Sequence, residues 1–252
     1  MKKIMIIAMI FFLVSCQAVE NKDIENQIIK ETTHYYKLAE VNDEIMPEEI
    51  VFSKCKEYKD GLVVEEYTLS PIGEKHNVTI YEYDGQLVKS IVRQDGILKY
   101  ETIYSYKGKN KTSILSYHNN ELKGKTTYSY KGEDAIIKYY DGEDELISET
   151  RTTTNGNYQY VEYTLYPDET GTLEIELDSN DNPIKTKSII GDIVSVSEVT
   201  YDEYGNKTYV INPEMEIRYD YQYDEKGEYI EMKTYHNDVL VRYQTREVEY
   251  EE

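Results

Sequence analysis

The 252-residue chain has no Trp, three Phe, five Pro and two Cys, and its 28 Lys and Arg are far outnumbered by 49 Asp and Glu. Each shortage excludes something. Phe11 and Phe12 lie in the apolar opening stretch, which leaves Phe52 alone for a folded domain, so a core built on large aromatic hydrocarbons is ruled out. Cys16 and Cys55 cannot supply a disulfide framework. His34, His76, His118 and His236 are too widely spread to form a spaced metal motif. No Gly-rich loop suits a nucleotide phosphate, and no Ser stands in a nucleophile elbow. Carboxylates are so numerous that no general acid/base pair can be singled out. The chain therefore reads as a non-enzyme without cofactor or metal. Its net charge of −21, or −23 once Lys2 and Lys3 leave with the leader, disfavours nucleic acid and allows a cationic partner.

What the chain has in excess is Tyr, at 28 residues. Its ring is apolar and its tip polar, which suits a half-buried strand. Turn signals recur every 8 to 15 residues in most of the chain beyond residue 50, among them Asp60-Gly61, Asp84-Gly85, Asp95-Gly96, Asn119-Asn120 and Asn155-Gly156. Asp178, Asp202 and Asp224 head related tips at spacings of 24 and 22 residues. In each, the Asp side chain can cap a type I turn, and a residue three positions on can take the left-handed conformation. Tyr83, Tyr106 and Tyr130 precede Asp-Gly or Lys-Gly pairs at similar spacing. Within the strands the residues alternate: Leu98, Tyr100, Thr102, Tyr104 and Tyr106 share one face, and Lys99, Glu101, Ile103, Ser105 and Lys107 the other. No apolar run is long enough for a helical layer to cover the Tyr face. The expected fold is all-β: an antiparallel hairpin array forming one extended, twisted or curled meander sheet, folded over on itself or standing largely as a single layer. Pro47 marks an expected break in the chain.

At the N-terminus, Met1-Lys2-Lys3 is a basic region and Ile4 to Val14 an eleven-residue apolar run, about half the ~20 residues a membrane helix needs. Leu13-Val14-Ser15-Cys16 resembles the lipobox of bacterial lipoproteins. That resemblance implies signal peptidase II recognition at Leu13, Val14 and Ser15 and lipid attachment at Cys16. It divides the chain into a signal peptide (1–15), a lipidated tether (16–27) and a β-repeat domain (28–252), with the membrane as a partner through the lipid. Gln17 in place of Asp favours export to an outer membrane, facing the periplasm or the cell surface.

The tips around Tyr201-Asp202-Glu203-Tyr204-Gly205 resemble the YD repeat of RHS-type proteins, and Asn119-Asn120-Glu121-Leu122-Lys123-Gly124-Lys125 resembles a degenerate MORN repeat. The resemblance implies a β-fold with a binding or surface role and no catalytic residue. Asp178-Ser179-Asn180-Asp181-Asn182 alternates oxygen donors like the start of a calcium loop, but Pro183 stands where that loop needs Gly and Ile189 where it needs Glu. Asp141-Gly142-Glu143-Asp144-Glu145 reads as a solvated acidic tip, and Cys55 as a packed structural residue. The leading functional expectation is a lipid-anchored envelope platform for adhesion or binding of a protein, peptide or glycan. Alternatives are a lipid-anchored immunity or inhibitor protein for a basic toxin or enzyme, and a periplasmic hydrolase whose site carries no recognisable motif.

Overall fold

The computed structural model describes residues 28–41, 44–132, 134–167 and 169–251. The leader, the lipobox Leu13-Val14-Ser15-Cys16 and the tether lie outside the described residues. Among the described residues, eighteen strands follow one another. The first six are β1 (Ile28–Val41), β2 (Glu44–Lys59), β3 (Leu62–Leu69), β4 (Lys75–Tyr83), β5 (Leu87–Gln94) and β6 (Ile97–Lys107). The next six are β7 (Asn110–His118), β8 (Glu121–Lys131), β9 (Asp134–Asp141), β10 (Leu146–Asn155), β11 (Tyr158–Leu165) and β12 (Glu169–Leu177). The last are β13 (Pro183–Ile190), β14 (Ile193–Tyr201), β15 (Lys207–Ile211), β16 (Glu216–Tyr223), β17 (Tyr229–His236) and β18 (Val239–Tyr250).

Each strand pairs antiparallel with the next, and β1 pairs with both β2 and β18. The expectation of an open, extended meander is therefore wrong. The hairpins are antiparallel and serial, but the sheet closes into an 18-stranded barrel. Closure satisfies the two long edges that an open sheet would leave unpaired. It rests on Glu31↔Val248, Thr33↔Arg246 and Tyr35↔Gln244, pairings more than two hundred residues apart that no local signal encodes.

The turns carry the register around the ring. At Asp141, Asp178, Asp202 and Asp224 the side-chain Oδ1 accepts the backbone N–H groups two and four residues on. The residue three positions on has positive φ: Asp144 67°, Asp181 61°, Gly205 82° and Gly227 82°. Following register partners once around the ring returns to β1 displaced by about 20 residues. With eighteen strands, that stagger corresponds to a strand tilt of about 40° and, for a round cross-section, a backbone radius of about 17 Å.

Register and chirality decide which face is inside. Leu177 donates its N–H to the Asn157 carbonyl, in line with the pairing Tyr158↔Glu176, so odd-numbered residues of β12 aim their backbone groups at β11. For L-residues, the directions of side chain, strand and hydrogen bonds have one fixed hand. In a barrel with the usual right-handed tilt, whose register climbs in chain order, that hand turns these residues inward. Burial agrees. On β11 and β12 the inward Val161, Tyr163, Leu173, Ile175 and Leu177 are buried, whereas Glu162, Thr172 and Glu174 are exposed.

Only nine hydrophobic residues among those described are buried, so the wall is a single layer around a lumen rather than two packed sheets.

Pro47 does not break the chain as expected. It lies within β2 opposite Leu38, beyond the last β2–β3 pair, Ser53↔Leu69, where one side of the strand has no partner and a missing N–H costs no ladder bond.

Candidate functional site

Directly opposed residues share a face, so the inner wall can be traced strand by strand. Tyr104 faces Ile114, which faces Thr126, which in turn faces Tyr139. Further round, Thr150 faces Tyr163, and Tyr221 faces Met232. From β4 to β17 the inner wall is dominated by Tyr, Thr, Ser and aliphatic side chains. The Tyr-bearing alternation expected over residues 98–106 and 126–130 is this lumenal face from Tyr100 onward; a register shift between Val92 and Arg93 sets Leu98 opposite Arg93, off that face. Rings interlock there: Tyr221 lies 5.9 Å from Tyr223 and 5.7 Å from Tyr229, centroid to centroid. Tyr163 covers the backbone of Gly171 so closely that a Cβ at Gly171 would stand 2.3 Å from the phenol oxygen. Burial, joined by neighbouring phenols or carboxylates, raises the phenols of Tyr83, Tyr106, Tyr128, Tyr163 and Tyr221, so they remain hydrogen-bond donors well above neutral pH.

The outer wall is built differently. Charged side chains pair at mid-height, across neighbouring strands from Lys138 to Glu149 at 3.0 Å, Lys187 to Glu174 at 3.3 Å and Lys185 to Glu198 at 2.7 Å, and along β10 from Arg151 to Glu149 at 2.7 Å. Lys233 adds a contact to Glu231 at 3.0 Å. Cations facing lipid at the bilayer midplane cost about 2–4 kcal/mol each, so these five alone would cost about 10–20 kcal/mol. The wall belongs in water. No helix among the described residues is long and apolar enough to cross a membrane either.

Among the described residues, no connection between consecutive strands exceeds five residues, too short to reach across a mouth. One mouth holds the start of β1, the end of β18 and the Asp178, Asp202 and Asp224 tips. The other collects acidic turns, Asp141, Glu143, Asp144, Glu145, Asp192 and Glu214 among them. Near the first mouth, Asp84, Gln86, Val88, Tyr104, Tyr106 and Gly108 line a recess of about 440 Å³. A cleft of about 670 Å³ follows the short strand β15, between Asp202, Thr208, Tyr219 and Tyr223.

The closing seam is fastened by an ionic cluster on the inner face. Arg246 donates to Glu31 at 3.1 Å and to Glu228, and its guanidinium lies over the Tyr229 ring at 4.8 Å. Tyr58 donates to Glu31 at 3.0 Å, and Lys56 stands 3.9 Å away. Burial pulls the Glu31 carboxyl upward, but Lys56, Arg246 and Tyr58 outweigh it and hold it below the ordinary glutamate range. Glu31 is a locked anion, unsuited to proton transfer.

The remaining residues singled out in the sequence have structural roles. Cys55 is fully buried on the outer face of β2, where Thr32 Oγ1 donates to its Sγ at 3.7 Å. Asp178 uses both carboxylate oxygens to cap its own turn, leaving the calcium-like alternation without free donors there. The histidines are not brought together: His34 bonds Ser53 Oγ at 2.7 Å, His76 meets Asp95 at 3.3 Å and His118 stacks on Tyr100. Among the described residues, no group of three His, Cys, Asp or Glu is placed to hold a metal ion. Sequence reasoning missed the Glu31–Arg246–Glu228 cluster and the inward cations near it, because their proximity depends on ring closure.

No family model matches the chain, and no curated protein does. The YD and MORN resemblances thus rest on the quoted residues alone. Among solved structures, a porin-like protein from Bacteroides uniformis ATCC 8492 is similar over 88% of this chain and 96% of that one, at 12% identity and a TM-score of 0.46. The Photorhabdus luminescens Tc holotoxin pore is similar over 72% of this chain and 15% of that one, at 9% identity and a TM-score of 0.16. Likenesses this distant carry no functional argument, and what the barrel does has to be argued from its own two faces.

Proposed function

We propose that this protein is a non-enzymatic binding barrel of the bacterial envelope, held to the membrane by lipid on Cys16, with a wall in water and a lumen that takes an oligosaccharide. The observation that carries this reading is the division of the wall: paired charges outside, Tyr rings and hydroxyls inside. Ring faces stack on sugar C–H surfaces, and phenol, Thr and Ser hydroxyls offer the hydrogen bonds that a glycan needs. The described turns are short enough to admit a chain-like guest.

Glycan-array probing of the whole labelled protein tests this. Binding should fall when Tyr104 and Tyr128 are changed to Ala and persist when the outward Tyr160 is changed. Binding of peptides alone, or binding insensitive to lumenal Tyr, would refute it. The acidic mouth favours a second reading, docking of a basic toxin or enzyme as an immunity protein would. In that case co-purification should yield a cationic protein released by moderate salt.

A further inference from the structure

In a chain of net charge −21, the inner wall near the closing seam carries four cations, Arg242, Arg246, Lys54 and Lys56. Arg246 and Lys56 are accounted for by Glu31 and Glu228. Arg242 and Lys54 have no carboxylate within ion-pair distance among the described residues, unlike the paired cations at mid-height on the outer wall.

Register partners arrange the surroundings in rows. One row runs Tyr221, Met232, Gln244, Tyr35 and Phe52. The next, on one side, holds Tyr219, Thr234 and Arg242, and the row on the other side holds Arg246, Thr33 and Lys54. Tyr35 and Phe52 stack face to face, with ring centroids 4.5 Å apart and an interplanar angle of 14°. Lys54 Nζ stands 5.8 Å from the Tyr35 centroid on one side. Arg242 lies on the other, close enough to draw the Tyr35 and Tyr219 phenols downward against the effect of burial. Beside Arg242, the Thr234 hydroxyl is buried and has no hydrogen-bond partner. A buried hydroxyl without a partner and two cations outside any ion pair, set around a stacked ring pair, make a site with unused polar groups.

We infer that the Tyr35–Phe52 ring stack between Arg242 and Lys54 is a subsite for a carboxylate-bearing sugar, so that the lumenal guest is an acidic oligosaccharide. The sugar ring packs against the side of the ring stack that faces the lumen, the guanidinium fork of Arg242 receives a carboxylate, and Lys54 meets the charge of the adjoining sugar. Lys111 repeats the theme elsewhere on the inner wall, 5.4 Å from the Tyr104 ring and 5.8 Å from that of Tyr128, again without a carboxylate partner among the described residues.

The inference rests on the lumen-binding reading, and the test separates the two. Titrate the full protein with tetragalacturonate and with its fully methyl-esterified form, following heat or Tyr fluorescence, which no Trp obscures. The acid form should bind about tenfold more tightly at low salt. Arg242→Gln with Lys54→Gln should erase that preference and leave ester binding within about twofold. Both residues are exposed, so the barrel should keep its circular dichroism spectrum and melting behaviour. Equal affinity for the two forms, or a preference that survives the double substitution, would overturn the acidic subsite while leaving the lumen reading intact. Failure of both forms to bind would overturn both.

Discussion

Replacing Arg246 by Ala probes the point at which the ring is closed. The side chains of Arg246 and Glu31 are 9% and 10% exposed and that of Glu228 is 24% exposed, so solvent screens this cluster little. Removing the guanidinium leaves Glu31 buried with Lys56 at 3.9 Å as its nearest cation. Breaking one side of a buried pair costs about 3–5 kcal/mol. With a urea slope of about 2–3 kcal/mol/M for a chain of this length, the unfolding midpoint should drop by about 1–2 M at pH 7. The pH dependence gives an internal check. In the native protein the Glu31 carboxyl is held below its ordinary value of 4.5, so its contribution is complete above that pH and fades as pH falls through the depressed value. In Arg246→Ala, burial is less opposed and the carboxyl rises, so the variant gains stability relative to the native protein as acid neutralises Glu31. The gap between the two should therefore narrow below pH 4.5, and Glu31→Gln should recover part of the loss at pH 7. Urea melts followed by circular dichroism from pH 4 to 8 measure both effects. A loss under about 1 kcal/mol that does not change with pH would show that this cluster does not fasten the seam.

Three further outcomes are expected. Carbodiimide should join Lys30 to Glu249, whose charged atoms are 3.5 Å apart across the seam, and mass spectrometry of the digest should find that peptide; an open sheet would not give it. Gly171→Val should cost about 1–3 kcal/mol in a urea melt, because the new side chain displaces the buried Tyr163 ring; an unchanged midpoint would contradict that packing. Cys16→Ala should abolish fatty-acid labelling and, in detergent phase partitioning, send the protein to the aqueous phase; retention in the detergent phase would mean that the wall itself meets lipid.

The turns and the two faces were legible in the sequence because both depend on residues close together. Asp202 and Gly205 specify their turn within five positions, and the alternation through Tyr100, Thr102 and Tyr104 sorts the strand without reference to any other part of the chain. The all-β character follows from these. Ring closure was not legible. Each hairpin register contributes a small stagger, and only the total over eighteen strands brings Thr33 opposite Arg246. Pro47 was misjudged for the same reason, since its tolerance depends on β3 ending opposite Ser53.

Composition and pattern alone determined an acidic chain of Tyr-faced antiparallel hairpins. The tertiary structure decided that the Tyr face turns inward, that the paired charges turn outward, and that Arg242 and Lys54 converge on Tyr35. Alternation divides residues into two sets but cannot say which set is concave; the hand of the L-backbone and the direction of the accumulated stagger do that, and both act only when the sheet closes.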